Sequence, residues 1–374
     1  MNFVKMTDLF YYINDGTHDT PIYTETGIPF YSVEDVTSNF SCKSKFISNE
    51  LSNKLNKRCK PEYGDILLTR IGTIGEVYMI DYNYQSSIYV SLALLKPNKN
   101  VETKYIYTYM KSGLFKRDIF SHSLQNATPI KINTQEIKNL SIPFVGNVEV
   151  RNTIVNIMES VDNAIESLKS KLSKINNLHN GYMNSLFHFD NNEVETHKLR
   201  ELVGYIKTGK IDANQMTIDG QYRFYTCAKN YYYIDKYAFD GEALLISGNG
   251  ANVGYVHHYI GKFNAYQRTY VLMNFHCNVL YLKAYLDYFL SKRISTEVRS
   301  GNTPYITLNT VTDMIINIPK DENIQKNIAN YYQSYILEKE KLEKEITKYE
   351  NIREGLLNGI FTGQIEVPEN YEEV

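Results

Sequence analysis

Two glycine-rich turns carry polar residues whose types and spacing could serve in ligand binding. They read Arg70-Ile71-Gly72-Thr73-Ile74-Gly75 and Gly248-Asn249-Gly250-Ala251-Asn252-Val253-Gly254. Glycine lets backbone amides approach a phosphate closely, and arginine, threonine and asparagine can donate hydrogen bonds to phosphates or base edges. The candidate ligand-binding residues in these turns are Arg70, Gly72, Thr73, Asn249 and Asn252. The alternative is a tight β-turn in which glycine only supplies positive φ.

A second pair of polar segments precedes a proline in each half of the chain, Gln125-Asn126-Ala127-Thr128 and Ser300-Gly301-Asn302-Thr303. These segments add Asn126, Thr128, Asn302 and Thr303 to the candidate contacts, although surface turns before a strand explain them equally well. Arg268 and Arg299 complete the set as single cations, for which an exposed salt bridge is the alternative. Tyr31 and Tyr225 are predicted to be core aromatics.

Motifs that would indicate catalysis or metal binding are missing from the sequence. The second glycine turn lacks the Gly-Lys-Ser/Thr ending of a phosphate-binding loop, and no Gly-x-Ser-x-Gly elbow occurs. No Asn/Asp-Pro-Pro-aromatic motif of amino-methyltransferases is found, since the chain has no Pro-Pro pair. The four cysteines have no C-x-x-C spacing, which argues against zinc. We therefore expect a protein that is not a catalyst and binds no metal or cofactor itself.

The elements that position these turns are duplicated. Gly64-Asp65-Ile66-Leu67-Leu68 returns as Gly241-Glu242-Ala243-Leu244-Leu245, an offset of 241 − 64 = 177. Later landmarks repeat in the same order at offsets of 174 to 176; they are Thr128-Pro129 and Thr303-Pro304, Ile142-Pro143 and Ile318-Pro319, and Phe187 and Phe361. A period this long indicates a duplicated domain and suggests a pseudo-two-fold arrangement.

Each copy ends in a segment with the pattern of a coiled-coil helix. In the first copy, apolar residues recur at steps of three and four at Ile154, Ile157, Val161, Ile165, Leu168, Leu172, Ile175 and Leu178. The second copy has such a seam at Ile324, Ile328, Tyr331, Tyr335, Leu342, Ile346, Tyr349, Ile352, Leu356 and Ile360. A lone helix of this length is poorly stable in water, so we expect the two helices to pack antiparallel. In the first globular segment, a helical pattern is found between Tyr105 and Phe120.

Length and composition fit two modest domains in a cytoplasmic protein. The chain has 374 residues, a net charge of −2 and no apolar run that approaches the roughly 20 residues of a membrane span. Its near-neutral total conceals local basic stretches, one of which is Lys43, Lys45, Lys54, Lys57, Arg58 and Lys60.

Together these residues resemble the specificity subunit of type I restriction–modification systems. The resemblance rests on the order Gly-Asp-Ile-Leu-Leu-Thr-Arg-Ile-Gly-Thr-Ile-Gly, the Thr-Pro and Ile-Pro landmarks and the long helix ending Leu-Phe, all duplicated. The C-terminal run from Arg353 to Ile365 is similar to the end of that family's distal helix. The second turn departs from the pattern, because Gly248 stands where the first copy has Arg70.

The resemblance implies a mixed α/β (α+β) chain with two similar target recognition domains separated by two long antiparallel coiled-coil helices. We predict target recognition domain 1 at residues 1–148, the central helix at 149–190, domain 2 at 191–321, and the distal helix and tail at 322–374. Each domain would read one half of a bipartite, asymmetric site on double-stranded DNA, and the helices would set the spacer.

The resemblance also implies partners. Two methyltransferase subunits would carry S-adenosylmethionine, and restriction subunits would use ATP and magnesium; no membrane is involved. A stand-alone methyltransferase or nuclease with a divergent active site is the alternative, and a purely structural coiled-coil adaptor is a third interpretation.

Overall fold

The computed structural model describes residues 2–297 and 304–368. The chain forms two compact units, which we call unit 1 (residues 1–168 and 345–374) and unit 2 (residues 169–344). Each unit contains one globular part and a segment of each of two long helices, so both helices contribute to both units.

The first globular part alternates short strands with short helices. Its elements are β1 (Asn2–Lys5), α1 (Met6–Leu9), β2 (Phe10–Asp15), β3 (Tyr23–Thr24), β4 (Ile28–Tyr31), α2 (Val33–Thr37), β5 (Lys45–Ile47), α3 (Asn49–Leu55), β6 (Ile66–Thr69), β7 (Val77–Met79), β8 (Ser87–Ile88), β9 (Leu92–Pro97), α4 (Thr103–Met110), α5 (Gly113–Ser121), α6 (Thr134–Asn139) and β10 (Ser141–Phe144). The long helix α7 (Val148–Leu186) follows.

The second globular part is richer in long strands. Its elements are β11 (Val194–Lys198), β12 (Val203–Thr208), β13 (Tyr222–Tyr225), β14 (Tyr232–Ile234), β15 (Phe239–Ser247), β16 (Val256–Ala265), β17 (Thr269–Phe275), α8 (Val279–Glu297), α9 (Leu308–Thr312) and β18 (Ile315–Pro319), with short 3₁₀ turns at Leu199–Glu201 and Ala213–Gln215. The second long helix, α10 (Glu322–Phe361), completes the chain.

The sheets explain the repeated Gly-Asp/Glu-apolar runs. In unit 1 the order β2-β9-β6-β7 places β6 inside a four-stranded sheet, and in unit 2 the order β12-β17-β15-β16-β13-β14 places β15 inside a six-stranded sheet. Successive strand residues point to opposite faces. Ile66 and Leu68 accordingly face one apolar core and Leu67 another. The stretches Ile66–Leu68 and Ala243–Leu245 are apolar on both sides because both faces of each sheet are covered.

The two globular parts share further pairings. An antiparallel two-stranded ribbon joins the first and last strand of each, β1 with β10 and β11 with β18. The strands that contain Tyr31 and Tyr225 each make a parallel pair, β4 with β8 and β13 with β16. Both tyrosines are buried, as predicted for core aromatics.

The predicted helical segment between Tyr105 and Phe120 is helical but has one interruption. The segment forms two helices, α4 and α5. The break lies at Ser112, whose buried side chain accepts a hydrogen bond from the Phe115 amide at 3.2 Å and caps the second helix. The corresponding segment of unit 2 is the uninterrupted helix α8.

The long helices pack antiparallel within each unit, as predicted. In unit 2, Lys171 of α7 donates a hydrogen bond to Glu338 of α10, and further along α7 Asn176 accepts one from Tyr335 of α10. Residue numbers therefore rise along one helix as they fall along the other. In unit 1 the early residues of α7 share a core with the last residues of α10, namely Ile154, Val155 and Met158 with Leu357, Ile360 and Phe361.

Three members of the predicted seams are exposed instead of buried: Leu178, Tyr349 and Ile352. On α7 the inward position belongs to His179, seven residues after Leu172. On α10 Arg353 turns inward, donating from Nε to Asp162. Apolar periodicity does not predict these two positions, because the helices also place an imidazole and a guanidinium at their interface.

Candidate functional site

The first glycine turn belongs to a cluster of loops at one end of the unit 1 sheet. Four segments meet there: residues 15–20, 70–75, 88–91 and 124–132. They are tied by backbone hydrogen bonds from Val90 N to Thr17 O (2.9 Å), Arg70 N to Ser91 O (2.9 Å), Gly72 N to Ile130 O (2.8 Å) and Ile132 N to Arg70 O (2.9 Å). The structure therefore brings together the two polar segments that the sequence singled out in this half of the chain.

The buried side chain of Arg70 links the loops of this cluster. Its guanidinium is buried, with Nη1 donating to Asp15 Oδ2 at 2.9 Å and to Val90 O at 3.0 Å, and Nε donating to Ile132 O at 3.1 Å. Burial lowers the pKa of Arg70, and the Asp15 carboxylate opposes that shift. Arg70 was a candidate DNA contact in the sequence, but the structure places its side chain where it joins three loops.

The other candidates in unit 1 lie at the surface. Gly72 has a φ of +84°, in the left-handed region that favours glycine, and open space lies where a Cβ would stand. Thr73, Asn126 and Thr128 are exposed around it. These residues present a backbone turn and three polar side chains on one rim.

Unit 2 repeats this set of backbone hydrogen bonds between loops, which we call the loop frame. The equivalent hydrogen bonds run from Gly248 N to Arg268 O, from Gly250 N to Pro304 O and from Ile306 N to Gly248 O, each at 2.9 Å. The duplication thus extends from strand order to individual turn hydrogen bonds.

The centre of the unit 2 frame is filled differently. Gly248 replaces Arg70, and the Tyr270 hydroxyl donates to Ile306 O at 3.0 Å, the carbonyl equivalent to the one that Arg70 Nε reaches. A Cβ on Gly248 would stand 2.2 Å from the Arg268 carbonyl oxygen and 3.0 Å from the Tyr270 ring. Position 248 therefore has no room for a side chain.

The candidate residues of unit 2 differ in their exposure and in their hydrogen-bond partners. Asn249 and Asn252 are half-buried, and Asn252 Nδ2 donates to Cys227 O at 3.1 Å. Arg268 is exposed and forms no ion pair within residues 2–297 and 304–368. Arg299, Asn302 and Thr303 lie outside the described residues.

Two functional partners were missed by sequence reasoning. Asp15 lies 55 residues from Arg70. Tyr270 lies 22 residues from Gly248 (270 − 248 = 22). No local pattern links either pair, because each contact forms only when strands that are distant in sequence are assembled in the sheet. The exchange of Arg70 for Gly248 was the available signal, since a buried arginine and a glycine cannot fill the same space.

The described part of the chain contains no group of three or more histidine, cysteine or acidic residues that could hold a metal ion. Burial raises the pKa of the Cys59 thiol to about 11, so this cysteine is protonated at neutral pH and is a poor nucleophile. Within the same residues, no helix has the length and apolar character needed to cross a bilayer.

Comparison with known proteins relates this geometry to a family. Residues 1–177 and 191–349 match the family model described as the type I restriction modification DNA specificity domain. The EcoDI type I restriction enzyme specificity subunit of Escherichia coli is 33% identical over 172 residues, which are 45% of this chain and 37% of that protein. The matched part is therefore well under two thirds of that relative.

Other relatives extend over most of the chain. A putative type I specificity subunit of Mycoplasma genitalium is 24% identical over 315 residues, covering 79% of this chain and 80% of that protein. The crystal structure of a type I restriction–modification S subunit from M. genitalium shares the fold with a TM-score of 0.66 at 19% identity, over 96% of each chain. The chain belongs to the family of type I restriction–modification DNA specificity subunits, a non-catalytic component of these complexes.

Proposed function

We propose that each globular part reads one half of a bipartite, asymmetric DNA site. The observation that carries this proposal is the repeated loop frame, in which the same turn hydrogen bonds support different exposed side chains. A common frame presents a similar surface to the DNA backbone in both units, while different side chains favour different bases.

The proposed contacts are polar residues, exposed or half-buried, at the surface of the two frames. In unit 1 these are the Gly72 turn with Thr73, Asn126 and Thr128, and in unit 2 Asn249, Asn252 and Arg268. Arg299, Asn302 and Thr303 remain predictions from the sequence. Arg70 enters the proposal as a positioning residue, because its guanidinium is buried among three loops.

The chemistry of the complex would lie in partner chains. We propose that the long helices set the spacer between the half-sites and dock two methyltransferase subunits, which bind S-adenosylmethionine. Restriction subunits that use ATP and magnesium would join them. Such a complex acts on the DNA of its own cell, so we propose a cytoplasmic location.

A domain exchange tests the proposal. Replacing residues 1–147 with the equivalent segment of a related subunit should change one half of the methylated site and leave the other half intact. Methylome sequencing of cells that carry the parent or the exchanged subunit, with the same methyltransferase, measures both halves at once.

The reciprocal exchange of residues 191–321 is the matched control, and it should change only the other half. A change in both half-sites from either exchange would contradict the model of one domain for each half-site. Binding of S-adenosylmethionine to the isolated chain, measured by calorimetry, would favour the stand-alone enzyme instead.

A further inference from the structure

A single buried carboxylate in unit 1 gathers three cationic or titratable side chains. Asp15 Oδ1 accepts a hydrogen bond from Arg58 Nη2 at 2.7 Å, and Oδ2 lies 2.9 Å from Arg70 Nη1 and 3.1 Å from His18 Nε2. Two guanidinium groups thus share one negative charge, with an imidazole beside them. The cluster carries an excess of positive charge, partly offset by the exposed Asp19 nearby.

The members of this cluster differ in exposure. Arg70 and Asp15 are about 7% and 8% exposed, whereas the side chains of Arg58 and His18 are 53% and 65% exposed. Arg58 is therefore fixed at its inner edge while the rest of its guanidinium faces solvent. Among the described residues, neither guanidinium has an ion pair with a carboxylate other than Asp15.

Arg58 is also held through its backbone. It follows α3, where its amide donates to Leu55 O at 3.1 Å, and its carbonyl accepts from the Tyr12 hydroxyl. Arg58 Nη2 makes a further contact of 3.3 Å with Asn14 Oδ1. An arginine held in this way loses little conformational freedom when it binds a ligand.

The cluster adjoins the loop frame, because Asp15 binds Arg70 at its centre. Among the residues of unit 2 that the structure describes, 169–297 and 304–344, this arrangement is not found. Asp15 pairs with Ala93 between β2 and β9, and in the equivalent pair of strands Thr208 pairs with Tyr270. Thr208 therefore stands at the position of Asp15, and Gly248 stands at the position of Arg70. Within the described residues, a cation anchored on a buried carboxylate at this rim is thus found in unit 1.

We propose that Arg58 binds a backbone phosphate of DNA, with Asp15 as the residue that positions it and His18 beside it. A guanidinium matches the geometry of phosphate oxygens, and its positive charge is not fully neutralised by Asp15. This inference rests on the proposed function and specifies the kind of contact: a phosphate contact strengthens binding to every sequence and carries no base preference.

Substitution of Arg58 tests the proposal in the full-length chain bound to its methyltransferase partners. Arg58→Gln should weaken binding on the order of tenfold at about 0.1 M salt, equally for the recognised site and for unrelated DNA. The slope of log affinity against log salt should become shallower by about 0.9. Arg58→Lys should keep the wild-type slope, because it keeps the charge.

Lys104→Gln is the matched control. Lys104 is 59% exposed and forms an ion pair of 2.8 Å with Glu159, so it resembles Arg58 in exposure and pairing. Its replacement should leave affinity and salt slope unchanged, and melting temperatures of all variants identify loss of folding.

Three results would overturn the inference. They are an unchanged salt slope in Arg58→Gln, a loss confined to the recognised site, and a shallower slope in Arg58→Lys that equals that of the glutamine variant. Because a phosphate contact is measured on unrelated DNA, the inference is tested even if the complex reads no half-site with unit 1. Absence of any DNA binding would overturn both proposals.

Discussion

The two units build the same helix pairing with different chemistry. The helix ends repeat at an offset of 361 − 187 = 174, which makes Arg353 on α10 equivalent to His179 on α7, since 353 − 179 = 174. In unit 1 Arg353 Nε lies 2.5 Å from Asp162 Oδ1, and Lys111 joins the same carboxylate. In unit 2 the His179 ring stacks on Tyr335 at a centroid distance of 3.5 Å and an interplanar angle of 3°.

The pKa values of these groups reflect the two environments. Burial raises the pKa of Asp162, but the hydrogen bonds from Lys111 and Arg353 outweigh it and hold that pKa below its usual range. Burial lowers the pKa of His179 to about 4, so its imidazole is neutral at physiological pH. The helix interface of unit 1 contains charged groups and that of unit 2 a neutral imidazole, although the two interfaces have the same helix pairing.

The turn frames show the same contrast. Unit 1 fills the centre with an ion pair, and unit 2 fills it with a tyrosine and a glycine. Backbone hydrogen bonds fix the shape of both frames, whereas the interior side chains are free to differ as long as each set is complete within its own unit.

Loss of Arg70 should have the largest effect. Arg70→Leu leaves Asp15 buried with one of its two arginines and removes the link between three loops, so unit 1 should lose about 3–5 kcal/mol of stability. Denaturant unfolding followed by hydrogen exchange would assign the loss to unit 1. Arg268→Leu, at an exposed arginine of the unit 2 frame, should change stability by less than about 0.5 kcal/mol. Equal effects of the two variants would remove the contrast between the frames.

The second largest effect should come from acidification, which should destabilise the helix pair of unit 2 through His179. The pKa of His179 is about 6.5 in the unfolded chain and about 4 in the folded chain, so the unfolded state binds the extra proton between these values. Stability from this residue is complete above about pH 6.5 and falls as pH drops toward 4, by at most about 3 kcal/mol. Asp287 and Lys339 act on this imidazole in opposite directions, and three tyrosines surround it.

The control is His179→Phe, which keeps an aromatic ring against Tyr335 without a titrating group. Unit 2 of this variant should lose less stability than the parent between pH 6.5 and pH 4, as measured by urea unfolding at each pH. If the two proteins have parallel stability curves across this range, the imidazole is not the source of the acid sensitivity.

The Tyr270 hydroxyl should have the smallest effect. Tyr270→Phe removes one neutral hydrogen bond, to Ile306 O, and should cost unit 2 about 1 kcal/mol because that carbonyl stays buried. Tyr305→Phe, at an exposed tyrosine one residue before Ile306, is the control and should have no measurable effect on the melting temperature. A cost of several kcal/mol would mean that this hydroxyl stabilises its frame as strongly as the ion pair stabilises the other.

Much of the fold followed from the sequence because repeated elements carry local signals. The duplicated strand runs, the glycine turns and the two long helices all have patterns within ten to forty residues. The interruption at Ser112 was missed because apolar periodicity continues through it, and only the serine cap marks the end of one helix and the start of the next.

The candidate site was less predictable, because its interior contacts are distant in sequence. Polar residues near glycine turns could be identified by type, but their exposure depends on what lies beneath them. Arg70 and Thr73 belong to one turn, yet Arg70 is buried and paired with Asp15, whereas Thr73 is exposed. Arg58 belonged to a basic stretch in the sequence, but only the three-dimensional contact with Asp15 distinguishes it from neighbouring lysines.

The ribbon of β11 and β18 also determines how unit 2 responds to tension. The pair Val194–Pro319 lies at the end nearest α7 and α10, and Lys198–Ile315 lies at the far end. A force that draws these two helices apart would load one backbone pair at a time, because antiparallel strands held at the same end separate by peeling. The ribbon would therefore yield at low force, beginning with the pair nearest the helices.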